Sequence, residues 1–176
     1  MLITADNIKR AGLRISQRIE NQNINTFIQE AEAMYIRERI THNLYVDLLE
    51  YVKASDKSKF PKEYEILLNG GIYETNGEKR IFNGLIEAIF YYTHSRLVKK
   101  NDENVSRFGF VQKDDDYSTQ HDLKTKLIAE KDSLTIADIY LNDCILYIES
   151  NTDKFPLFKK AGVAKNRIRL NFIGSF

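Results

Sequence analysis

The stretch from Asn83 to Lys100 constrains the fold more than any other. Apolar Leu85, Ile86, Ala88, Ile89, Phe90, Tyr91, Tyr92 and Leu97 leave little of a helix's circumference polar before Arg96, Lys99 and Lys100 close it. A helix that is apolar on every side has to be surrounded by the rest of the chain, so this segment predicts a central helix with other helices packed around it. Ile24 to Val52 predicts one of them. Phe27, Ile28, Ala31, Met34, Tyr35, Leu44, Tyr45, Leu48, Leu49 and Val52 recur mostly three or four apart, as in one long amphipathic helix. Asn25 or Thr26 offers a capping oxygen at its start, and Asp56 to Lys59 reads as the polar loop that follows. A further helical period runs from Ser118 to Ser150 through Leu123, Leu127, Leu134, Ala137, Leu141, Cys144, Ile145 and Ile148. Asp132-Ser133, and Thr135 followed by Asp138, predict a break into two helices there.

Turn chemistry punctuates the remainder. Pro61 and Gly70-Gly71 frame a short helix, Lys62 to Asn69. Asn76-Gly77 between Ile72–Thr75 and Glu78–Ile81 is a strong hairpin signal, because both central residues of the turn need positive φ. Asn101 to Tyr117 has no sustained period, contains Phe108-Gly109-Phe110-Val111 and is long for a plain connection, so it reads as an extended functional loop or a short strand. Near the end, Ile168, Leu170 and Phe172 alternate with Arg167, Arg169 and Asn171, the period of a strand with one buried face. Such a strand needs a partner edge. Phe108 to Val111 could supply it, or a strand of another subunit through strand addition.

The expected fold class is therefore mainly α: a bundle of four to five helices with a small β-hairpin or ordered loop and an extended C-terminal arm containing a short strand. With 176 residues, 43% of them hydrophobic, one core is the natural outcome. We divide the chain into a helical domain, 1–153, and a basic arm, 154–176.

Charge supports that boundary. The arm carries Lys154, Lys159, Lys160, Lys165, Arg167 and Arg169 and no acid, which leaves 20 basic residues against all 25 acidic ones before it, a body of −5 beside a tail of +6. Opposite signs let the tail dock on the body of a neighbouring copy, or the tail could touch nucleic acid through phosphates; the first needs no additional partner. A single cysteine, Cys144, builds no disulfide within one chain and fits a reducing compartment. The N-terminal residues lack a signal-peptide pattern and no run approaches a bilayer-spanning length, so a soluble protein without membrane association, made in a cytoplasm, is expected.

No arrangement of residues points to catalysis. His42, His94 and His121 are far apart and share no metal-binding frame. His94 beside Tyr91 and Tyr92 reads as a hydrogen-bonded structural histidine. Asp114-Asp115-Asp116 lacks the spaced ligands, glycine and distal glutamate of a calcium loop. Gly70-Gly71 and Gly109 form no phosphate cradle, and Cys144 lies on an apolar stripe where an inert thiol is the common case. Glu30 with Glu32, and Glu63 with Glu65, are two apart and point to different faces. We expect no enzyme, no metal and no cofactor. Ten tyrosines and ten phenylalanines supply rigid area for core and interfaces alike.

Several landmarks resemble those of head-tail connector proteins (adaptors) of tailed bacteriophages, in the same order. They are Leu67-Leu68-Asn69-Gly70-Gly71-Ile72-Tyr73, then Gly84-Leu85-Ile86-Glu87-Ala88-Ile89-Phe90-Tyr91-Tyr92 with Ser95-Arg96-Leu97, then Phe108-Gly109-Phe110-Val111-Gln112-Lys113 with Ser118. The close, Tyr147-Ile148-Glu149-Ser150-Asn151 and Phe155-Pro156-Leu157-Phe158, is similar to the end of the last helix in that group, including versions of crAss-like phages. The resemblance covers roughly residues 67 to 158 and rests on glycine, aromatic and apolar types. It implies a virion protein of the neck, assembled in the bacterial host cytoplasm as a homo-oligomeric ring, in twelve copies, between portal and tail. Its implied partners are the portal protein, further neck or tail ring proteins, and genomic DNA in the lumen. On this reading Phe155, Phe158, Ile168, Leu170 and Phe172 anchor the arm on a neighbour, Lys159, Lys160, Lys165, Arg167 and Arg169 steer it, and Phe108 and Phe110 of the long loop join the interface. The competing expectation is a helical nucleic-acid-binding protein that uses the same basic arm.

Overall fold

The computed structural model describes residues 1–12, 15, 19–100, 103–106, 109–112 and 123–158; for 103–106, 109–112 and 123 it describes the backbone alone. Among the described residues the protein is mainly helical. Helix α1 is Ala5–Arg10, α2 Asn21–Ala31, α3 His42–Lys53, α4 Glu63–Asn69, α5 Leu85–Lys100 and α6 Leu123–Ser150, and two hairpins, β1 Gly71–Thr75 with β2 Glu78–Phe82 and β3 Glu103–Ser106 with β4 Gly109–Gln112, complete it.

The expectation for α5 holds. It packs against α6, α2 and α4 and buries Leu85, Ala88, Ile89, Phe90, Tyr92 and Leu97. Its basic end finds acids: Arg96 Nε lies 2.8 Å from Glu30 Oε2 and Lys99 Nζ 2.8 Å from Glu130 Oε1. Helix α6 runs antiparallel to it, since Lys99 meets Glu130, His94 meets Ser133 and Tyr91 meets Tyr140.

The expected single helix from Ile24 to Val52 is instead two. The buried residues Ile24, Ile28, Ile36, Ile40, Leu44 and Leu48 are spaced in multiples of four, and in an α-helix a step of four overshoots a full turn by about 40°. The drift is taken up by a π-turn over Glu32–Ile36, closed by Arg37 N donating to Glu32 O at 3.0 Å, a wider turn of the kind inserted where register must change. Thr41 then leaves helical geometry altogether at φ 71°, and α3 starts afresh. Met34, expected on the apolar stripe, is 56% exposed as a result. Asn25 and Thr26 do not cap: α2 begins at Asn21, Asn25 Oδ1 accepts from Ala5 N at 3.1 Å, and Thr26 Oγ1 donates to Gln22 O at 3.1 Å.

The expected break in the last helical stretch does not occur. Helix α6 is continuous over 28 residues, about 42 Å at the α-helical rise. Ser133 Oγ donates to Ala129 O and Thr135 Oγ1 to Lys131 O, both at 2.9 Å. These hydroxyls close back one turn within the helix instead of capping a new one.

The N-terminal segment is fastened to this frame. Thr4 caps α1 reciprocally with Asn7, and Leu2, Ile3, Ala5 and Ile8 are buried. Leu2 N donates to Glu32 Oε1 at 2.6 Å, and Tyr45 Oη donates to Glu32 Oε2 at 2.7 Å, so the buried Glu32 carboxylate has both oxygens satisfied. Burial, and then the neighbouring carboxylate, push the Tyr45 phenol up to about 12.

At the other end, residues 151–158 belong to the body. Lys154 N donates to Asn151 O at 2.9 Å and Phe158 N to Phe155 O at 2.9 Å, while Thr41 Oγ1 donates to Leu157 O at 3.0 Å. The boundary expected after residue 153 therefore moves: the sequence to Phe158 folds with the helices.

Candidate interaction surface

The β1–β2 hairpin is the feature whose construction and exposure point outward. Helix α4 buries Tyr64, Leu67 and Leu68 and ends at Gly70, with φ 82°. After the hairpin the chain re-enters α5 through Gly84, with φ 87°. These two glycines lie back to back. A Cβ on Gly84 would sit 2.3 Å from Gly70 N, and one on Gly70 would sit 2.5 Å from Phe82 O. Both obstacles are backbone, so only glycine permits the crossing. At the tip, Asn76 and Gly77 take φ 52° and 77°, the pair of positive values that a two-residue hairpin loop requires.

The loop sets the register: Thr75 faces Glu78, Glu74 faces Lys79, Tyr73 faces Arg80, Ile72 faces Ile81 and Gly71 faces Phe82. One face turns inward. Tyr73 packs edge-on against Phe82 and Tyr147 at 5.7 and 5.2 Å between centroids, and Phe82 stacks on Tyr147 at 4.8 Å. Ser150 Oγ meets Thr75 Oγ1 at 3.2 Å. The other face carries Ile72 and Ile81 as a cross-strand pair, 68% and 76% exposed. Among the described residues, these two β-branched apolar side chains stand side by side in water on a braced hairpin as an exposed apolar pair.

Of the residues expected at an interface, the structure withdraws Phe155. It is 1% exposed, stacked on Tyr64 at 5.8 Å and edge-on to Tyr147 at 5.8 Å, so it anchors the C-terminal segment to its own chain and is no free anchor for a neighbour. Phe158 is half-buried against the same core. Phe110 stands in β4 opposite Val105. The Phe108–Val111 segment, offered as a partner edge for the arm, overlaps β4, which pairs with β3. Phe108, Lys159, Lys160, Lys165, Arg167, Ile168, Arg169, Leu170 and Phe172 lie outside the described residues, as do the Asp114–Asp116 run and the expected terminal strand. The Ile72–Ile81 pair was missed, although its signal was present: a two-residue Asn-Gly loop dictates that 72 faces 81, and Tyr73 and Phe82 already fill the inner face.

Among the described residues, His94 is half-buried and Cys144 buried. Ser133 donates to Ala129 and therefore accepts from His94 Nδ1 at 2.9 Å, and burial holds the His94 imidazole below its ordinary value. Burial raises the Cys144 thiol far above the reactive range. Arg39 donates to Asp138 Oδ1 at 2.7 Å and to Asn142, and Tyr92 Oη donates to the same Asp138 oxygen at 2.6 Å. This network ties the α2–α3 junction to α6. Among the described residues no cluster of three or more His, Cys, Asp or Glu is placed to hold a metal ion, and no helix is long and apolar enough to cross a membrane.

Among the described residues, the protein is mainly helical with a small antiparallel β-hairpin that exposes an apolar pair. The chain belongs to the DUF6712 family, a family of unknown function, whose model matches residues 36–168. That match takes in α3 through α6 and both hairpins. No curated protein and no solved structure matches it.

Proposed function

We propose that this protein is a structural subunit of a tailed-bacteriophage virion that assembles with copies of itself into a ring between portal and tail. The observation that carries the reading is the solvent-facing Ile72–Ile81 pair on a hairpin that two glycines hold in one position. A surface of that kind serves contact between proteins, and its rigidity lowers the ordering cost of binding. The head-tail connector resemblance supplies the context, and three of its landmarks coincide with this construction: Leu67 to Tyr73 leads from α4 into β1, Gly84 to Tyr92 opens α5, and Phe155 closes the core beneath the hairpin. The opposite charges of body and arm favour contact between unlike surfaces of successive copies. Such heterologous contacts close into a ring when the rotation between copies allows.

In this role the protein performs no chemistry. Portal and tail proteins are the neighbours, and the twelve-fold copy number follows from the resemblance. Quantitative mass spectrometry of purified virions tests the reading: several copies per particle, in fixed ratio to the portal, are expected, whereas absence from the particle refutes it.

A further inference from the structure

The geometry points to a particular occupant for the exposed hairpin: we infer that residues 167–172 of an adjacent copy add to an open edge of the β1–β2 sheet as a third strand and set their apolar side chains beside the Ile72–Ile81 pair. The inference rests on the ring reading and assigns its contact. Strands β1 and β2 pair with each other alone among the described residues. Their two-residue loop makes Thr75 and Glu78 a bonded pair, so alternation makes Ile72 and Ile81 a non-bonded pair whose backbone N–H and C=O groups face the outer edges. The site thus offers open backbone donors and acceptors together with an apolar pair on one face, the two components that strand addition uses.

The C-terminal sequence has the complementary pattern. Ile168, Leu170 and Phe172 fall on one side of an extended segment, and Arg167 and Arg169 on the other. The hairpin itself, residues 71–82, is balanced, with Glu74 and Glu78 against Lys79 and Arg80, but residues 1–153 together carry −5, whereas the arriving segment 159–176 has five cations and no acid. Phe155 packs on Tyr147, which touches Tyr73 and Phe82 on the inner face of the hairpin, so the described C-terminal segment lies beneath that face and does not cover Ile72 or Ile81. Residues 159–166 span up to about 27 Å when extended, a reach suited to an abutting copy.

Full-length chains carrying Ile81→Cys and Leu170→Cys, each with a tag of different mass, are mixed at high concentration and oxidised; the native Cys144 is buried and does not compete. A disulfide joining the two tags is expected. A chain bearing both substitutions that forms only an internal disulfide overturns the inference in favour of docking within one chain, and rings that form without any cross-link overturn it while leaving the ring reading intact. Ile72→Ser with Ile81→Ser provides the second readout. Both side chains are exposed, so thermal unfolding is expected to be unchanged, while self-association weakens by about tenfold or more through the lost apolar burial. Unchanged self-association contradicts the inference.

Discussion

The segment from Asn21 to Lys53 and helix α6 pose the same local question and answer it differently. Each contains polar residues within an apolar helical period, and short-range rules alone predict continuity in the first and a break in the second. The structure has the reverse: a π-turn and a positive-φ Thr41 interrupt the first, and α6 runs unbroken. The difference lies in where the polar side chains find partners. Ser133 and Thr135 bond to carbonyls one turn back, inside their own helix. Glu32 bonds outside its helix, to Leu2 N and the Tyr45 hydroxyl, and Thr41 to Leu157 O across the molecule. A hydroxyl satisfied locally leaves a helix intact. Glu32 and Thr41 instead tie the interrupted stretch to distant segments of the chain.

The largest effect should come from Glu32→Ala. It leaves the Leu2 amide and the Tyr45 hydroxyl without an acceptor in a fully buried site, at a cost of about 3 kcal/mol for bonds to a charged group. Denaturant unfolding measures the loss, and hydrogen exchange should show α1 and the residues before it losing protection first. Thr41→Val keeps the strained backbone and the branched side chain but removes the bond to Leu157, so about 1 kcal/mol should be lost. Thr41→Gly, which relieves the positive φ while losing the same bond, should be the milder change. Arg39→Ala disconnects the interrupted segment from α6. Because Arg39 and Asp138 are 36% and 53% exposed, the loss should be no more than about 1 kcal/mol and smaller in high salt.

A pH effect sharpens the comparison on the α6 side. Burial depresses the His94 imidazole in the folded state, so the unfolded chain binds its proton more readily. The contribution is therefore complete above the unfolded value, near 6.5, and is lost as pH falls through that value towards the lower folded one. Stability should fall over this window, and His94→Gln should flatten the dependence. The smallest effect belongs to Thr135→Ala, expected to stay within about 0.5 kcal/mol because the gain in helix propensity offsets the lost back-bond. Helical content should be unchanged; a drop in it would show that Thr135 has a role the geometry does not provide.

Much of this fold was legible because it follows from short-range rules. The all-round apolar run made α5 central, Pro61 and Gly70 bounded α4, and Asn76-Gly77 marked the turn of a small hairpin or ordered loop. What escaped depends on distant partners. Nothing near Glu32 in sequence announces that it accepts from Leu2, thirty residues away, and nothing near Phe155 announces the Tyr64 ring on which it stacks. For that reason Phe155 read as part of a free arm while it closes the core. The hairpin surface was half legible: the register was deducible, but the choice of Tyr73 over Ile72 for the inner face is made by Tyr147, far along the chain.

The central claim is that the protein functions by joining its own copies beneath a portal, and the native mass of the purified chain, alone and then with the portal protein, tests it most directly. A defined ring of many copies bound to the portal is the expected result. A monomer whose mass is indifferent to the portal would contradict the account.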